Sequence, residues 1–154
     1  MERVLDRDVD NQSLGALGWY NLALANLAAA DQLTVLNVRL LFEEPIRALY
    51  AHAWEMALKA CLRKQGYTPS QIRKEFGHRL DKIWAKVDRE RFDRLQLRDE
   101  LIGFINHLTF YHANRLYAYP LSGLRRELDL DYLRATSSRL RVSRACAIDL
   151  FYTA

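Results

Sequence analysis

The sequence predicts an all-α protein, an antiparallel helical bundle of about five main helices. Three observations carry that reading. Gly and Pro are scarce, six and three in 154 residues, which leaves few turn residues for many short strands. Apolar residues recur at helical spacing in several long segments. Period-two alternation is not sustained anywhere. The length suits one domain, residues 1–154. Half of the residues are hydrophobic and 27% are charged, a globular profile. A chain of this size buries roughly two thirds of its unfolded surface and needs no disulfide or metal to fold.

The first predicted helix spans about Ser13 to Ala30, with Ser13 as a possible N-cap. It contains the most apolar run of the chain, Leu14 to Ala30. That run is short for a bilayer span and holds Asn21 and Asn26, whose amides are costly in lipid. A core helix is the expectation, with no membrane partner. The charged start "MERVLDRDVD" is not a signal peptide. A cytoplasmic location follows as an expectation.

The second helix is predicted from about Glu43. "FEEPIRAL" places two acids and Pro45 where a helix start favours them. Ile46, Tyr50, Ala53, Trp54, Ala57 and Cys61 then share one face. Gly66 is the expected C′ residue. "TPSQIRKEFG" reads as a short helix capped by Thr68, with Pro69 at its first position and Gly77 at its end. The next helix runs from about His78 to Val87 on Leu80, Ile83, Trp84 and Val87. A long helix follows, Arg94 to Ala113, with Leu97, Leu101, Phe104, Ile105, Leu108 and Tyr111 as its stripe. Pro120 breaks the chain after it. The last helix starts near Asp129 or Asp131 and reaches the C-terminus on Leu133, Leu140, Ala147, Ile148 and Phe151.

Cys61 and Cys146 sit among apolar neighbours without CxxC or paired His spacing. They read as reduced core thiols, and neither a metal nor a cofactor is expected. The net charge is +4, and 18 of the 23 basic residues are Arg. Arginine suits carboxylate and phosphate, so this balance permits nucleic-acid binding without demanding it. The chain has no Gly-rich phosphate loop, no HExxH and no nucleophile elbow.

Four groupings could carry chemistry. His52, Glu55 and Lys59 fall within an arc of roughly 60° on the second helix. They suit an acid–base or phosphate-binding patch. Lying opposite the apolar stripe together with Arg63, they are expected instead as a solvated face with a Glu55–Lys59 pair. His78, after Gly77, suits a structural role better than a catalytic one. "INHLTFYHANRLYAYP" brings His107, His112, Asn114, Arg115, Tyr117 and Tyr119; the two histidines are five apart and make poor joint metal ligands, while the tyrosines suit a stacking surface or a core edge. Arg134 and Arg141 share a face that could meet phosphate, solvent or the acids of a partner chain.

The motif His52-x-x-Glu55-x-x-x-Lys59, followed by Gly77-His78-x-Leu80, resembles the HEPN superfamily of prokaryotic all-α domains. The resemblance covers about residues 43 to 120 and includes the aromatic-rich Tyr-Pro segment. It implies a helical bundle that commonly forms a homodimer. It also implies an RNA- or nucleotide-binding module of the toxin–antitoxin or defence type, with an antitoxin-type protein partner. Some relatives are metal-independent RNases; others are non-catalytic interaction modules. Active relatives pair an Arg with a His four to six residues later. Arg47–His52 and Arg73–His78 match that spacing, giving His78 or His52 as the proton-transfer group and Arg73 or Arg47 as the phosphate-stabilising group. Glu55, Lys59, Arg115, Tyr117 and Tyr119 are the candidate binding residues. This sequence departs from the pattern in its later helix, where His107 and His112 precede Arg115.

Overall fold

A computed structural model describes residues 15–36, 39–87, 101–115 and 128–141. Six α-helices are present among them and no strand: α1 (Ala16–Val35), α2 (Arg39–Lys64), α3 (Pro69–Glu75), α4 (Leu80–Lys86), α5 (Ile102–Ala113) and α6 (Leu130–Ser137). A 3₁₀ turn, Ser138–Leu140, follows α6 and leads into extended Arg141, so this last helix ends at Ser137 and does not run on through Leu140 as expected. The all-α expectation holds. None of the described helices is long and apolar enough to cross a membrane. Ser13, Leu97, Tyr117, Tyr119, Pro120, Cys146 and the last apolar positions of the chain lie outside the described residues.

The second helix is the hub. It touches every other described helix, and α1 packs along it over the greatest length. The face of α1 turned inward carries Tyr20, Ala23, Leu27, Ala30 and Thr34, a three-four spacing on which small alanines allow close approach. The predicted stripe of α2 is buried as expected, from Ile46 to Cys61. Its opposite face is not solvated, which corrects the sequence expectation: Glu55 is 0% exposed and Lys59 only 7%. A helical wheel tells which residues share a face. It does not tell which faces are covered, and α5 and the turn before α4 reach Glu55 on this one.

Two boundaries also move. The first helix continues past Ala30 to Val35, because its polar end finds partners on α2. The Thr34 hydroxyl lies 3.2 Å from the Tyr50 hydroxyl, which donates to Asp31 at 2.7 Å. Burial, chiefly, pushes the Tyr50 phenol up to about 12. The second helix begins at Arg39 and not near Glu43, so Pro45 lies in its second turn rather than at its start. The lost N–H leaves one carbonyl of the preceding turn without an intrahelical donor.

Turn chemistry follows the sequence closely. Thr68 and Gln71 form a full capping box around Pro69. Asp129 caps α6 by accepting from the amides of Asp131 and Tyr132. Gly66 and Gly77 both adopt positive φ, +97° and +54°, where a side chain is strained. At Gly77 a Cβ would meet nothing closer than 3.9 Å, so the conformation and not space selects glycine. The turn after it holds His78 and Arg79, and α4 starts only at Leu80; His78 therefore precedes the helix it was expected to open.

Side-chain bonds fasten the outer segments to the hub and to one another. Trp54 Nε1 donates to Ser137 at 2.8 Å, Tyr20 donates to the Leu140 carbonyl at 2.7 Å, and Arg47 Nε donates to the Leu128 carbonyl at 3.2 Å. The hydroxyl of Thr109 on α5 accepts from the Asp81 amide at 3.0 Å, which locks the start of α4. Arg134 and Arg141 both form ion pairs with Asp31 of the same chain, Arg134 at 3.8 Å. Their shared face thus secures α6 to α1.

Gly77→Ala is expected to lower stability by about 1 kcal/mol, the cost of a Cβ in the left-handed region. Urea unfolding followed by circular dichroism reads this; an unchanged midpoint contradicts it.

Candidate functional site

The site is built from the polar side of α2. Pro45, Ala48, Leu49 and His52 recur at i, i+3, i+4 and i+7, so they line one strip of the helix. That strip forms one wall of a groove of about 610 Å³, completed by Asn26 of α1, His78 of the turn, His112 of α5 and Arg115 just beyond it. One turn further along the same side of α2 lies Glu55.

The Glu55 carboxylate is the centre. His78 Nδ1 lies 3.1 Å from Oε1 and 3.2 Å from Oε2. The Nε2 of His112 is hydrogen-bonded to Oε2, and the Nζ of Lys59 to Oε1. His52 Nδ1 stands 3.6 Å from Oε2. Three imidazoles from three separate parts of the chain therefore converge on one buried acid. The His112 ring sits between the other two, 5.8 Å from His52 and 5.6 Å from His78, each edge-on. The Lys59 Nζ lies over the indole of Trp19, 5.8 Å from its centroid.

The electrostatics fix proton positions. Burial alone would raise the Glu55 carboxyl. The hydrogen bond from His112, the nearby His52 imidazole and the charge of Lys59 outweigh it, holding the group well below the usual carboxylate range. An ionised carboxylate can only accept, so each nitrogen bonded to it carries a hydrogen. His78 is thus protonated at Nδ1 and His112 at Nε2. In the neutral rings, the opposite nitrogen of each keeps its lone pair. His78 is 53% exposed at its side chain and His52 45%, so these two are open to the groove, whereas His112 is 13% exposed.

Of the residues singled out by sequence, His52, Glu55, Lys59 and His78 are brought together, and Arg115 joins them in the groove. Arg115 has φ +55°, a strained value for a side-chain-bearing residue, and its amide donates to the His112 carbonyl at 3.1 Å. Arg63, expected on the same face, instead donates to the Tyr67 carbonyl and closes the end of α2. Arg47 is buried and engaged with Glu43 and Leu128. Arg73 is exposed on α3 and is not among the groove residues. Neither arginine accompanies the histidine at its five-residue offset. Sequence reasoning missed His112, having weighed it only against His107, which stacks on Tyr111 at 4.9 Å. The available signal was its place four residues after Leu108, beside the buried stripe of α5.

Glu55→Ala is expected to cost about 3–5 kcal/mol, because it leaves Lys59 buried without its partner. The folded carboxyl is depressed, so its contribution is present above the unfolded value of about 4.3 and is lost as pH falls below it. Urea midpoints taken from pH 7 down to pH 3 are expected to fall steeply for the unmodified protein and less steeply for Glu55→Gln. Parallel curves contradict the arrangement.

No family model, no curated protein and no solved structure matches the chain. The chemistry of this cluster is therefore the ground on which function rests.

Proposed function

We propose that the groove binds RNA through its phosphates and cleaves it without a metal, as the resemblance to the HEPN superfamily leads one to expect. The observation that supports this is the convergence of His52, His78 and His112 on ionised Glu55 beside Arg115. A carboxylate that orients an imidazole and leaves its far nitrogen free is the arrangement general acid–base catalysis needs.

In this reading His78 Nε2 takes the proton from a ribose 2′-hydroxyl. The 2′-oxygen attacks phosphorus as the bond from phosphorus to the 5′-oxygen breaks. Protonated His52, on the other flank of His112, supplies the proton to the departing 5′-oxygen. The products are a 2′,3′-cyclic phosphate and a free 5′-hydroxyl. Arg115 faces the phosphate charge. The toxin–antitoxin or defence role belongs to the same proposal.

A second reading, a non-catalytic interaction module that pairs with itself or with an antitoxin-type protein, has its own support. Leu22 is 43% exposed one turn before groove residue Asn26, and Pro45, Ala48 and Leu49 give the groove an apolar wall. Salt separates the two readings. Binding through phosphates weakens steeply as salt rises, while apolar pairing does not.

The purified protein is expected to cleave single-stranded RNA in the presence of EDTA and to leave cyclic phosphate ends. His78→Ala and His52→Ala are each expected to lose on the order of 100-fold or more in rate. Absence of cleavage by the unmodified protein, or unchanged rates in both variants, removes the enzymatic reading.

A further inference from the structure

The same cluster has a second property that acid–base chemistry does not use. One ligand atom each from His52, Glu55 and His112 lies within 4.8 Å of the others. His78 Nδ1 lies within 3.2 Å of both Glu55 oxygens, and their other partners differ. Oε1 holds Lys59, while Oε2 faces His52 Nδ1 at 3.6 Å and the hydrogen-bonded His112 Nε2. Two imidazole nitrogens are thus gathered at Oε2, whereas the ammonium is bonded to Oε1. A tetrahedral ion with bonds of about 2.0–2.2 Å needs its donors roughly 3.3 Å apart. The half-exposed His52 ring has room to turn and close the remaining gap.

We propose that His52, Glu55 and His112 bind a divalent transition metal, zinc foremost. The donor set argues for that class. Imidazole suits zinc and its neighbours, whereas magnesium and calcium prefer all-oxygen sites. Three protein donors leave a fourth position, and the groove supplies it with water or an anion. The bond from His112 Nε2 to the metal requires the neutral ring to change tautomer, Nε2 releasing its proton to solvent while Nδ1 takes one up. Metal and the His112–Glu55 hydrogen bond are therefore alternatives at one place. Lys59 keeps Oε1 in both states. Occupation of His52 by zinc takes that imidazole out of proton transfer, so zinc acts as an inhibitor of the cleavage proposed above; binding itself does not depend on that proposal.

Isothermal titration of the full chain, stripped with EDTA and desalted, uses zinc alone and then magnesium alone. Saturable binding of one zinc per chain is expected, with none for magnesium. Cobalt(II) added in place of zinc should give the visible absorption of a tetrahedral nitrogen–oxygen site. His52→Ala removes one donor at a half-exposed position and is expected to weaken zinc at least about 10-fold. His112→Gln keeps a donor for Glu55 while losing the ligand, and the same loss is expected; circular dichroism checks that both variants are folded. No saturable zinc binding by the unmodified chain overturns the proposal. So does unchanged affinity in His52→Ala, which would put the metal elsewhere. Because no RNA is present, a failed titration leaves the cleavage reading standing, and a failed cleavage assay leaves the metal site standing. With both in hand, zinc is expected to suppress cleavage and EDTA to restore it.

Discussion

The arrangement depends on one buried carboxylate. Glu55 is 0% exposed at the middle of the central helix, where an unpartnered charge is untenable. Two segments packed over this side of α2 bring it partners, and α2 adds its own. The α5 helix brings His112, the turn ended by Gly77 brings His78, and α2 itself supplies Lys59 and His52. The outer helices must therefore seat in one register on α2. Apolar packing drives the association, and the acid fixes where each imidazole stops.

That constraint also links fold to chemistry. A hydrophobic residue at position 55 would fill the space, and such exchanges of buried charge for apolar volume are often neutral or stabilising. The polar choice makes sense if the histidines have work in the groove. Each bond to Glu55 fixes a tautomer and aims the other nitrogen outward. Arg115 accepts a left-handed backbone conformation one turn after His112, and strain of that kind costs of order 1–3 kcal/mol. It places a permanent positive charge beside rings whose own charge can change.

The sequence made much of the architecture legible. Helical spacing marked the stripes of α2 and α5, and the Thr68–Gln71 box, the Asp129 cap, Gly66 and Gly77 sit where their chemistry requires. The ends of α1 and α2 were misplaced because tertiary partners, such as Tyr50 for Asp31, outweighed local signals. The motif on α2 named half of the site. Its burial was not readable, since Glu55 and Lys59 look like an ordinary exposed ion pair at i and i+4. His112 was hidden for a different reason. It is 57 residues from Glu55, and no local pattern reports a contact made through packing.

The central claim concerns protons on two rings, and nitrogen NMR of the imidazoles tests it most directly. With the rings neutral, long-range proton–nitrogen spectra should show His78 hydrogen-bearing at Nδ1 and His112 at Nε2. Both signatures should shift in Glu55→Gln, because the ionised acceptor is gone. If both rings instead show the averaged pattern of free histidine, indifferent to Glu55→Gln, then the carboxylate does not organise the site.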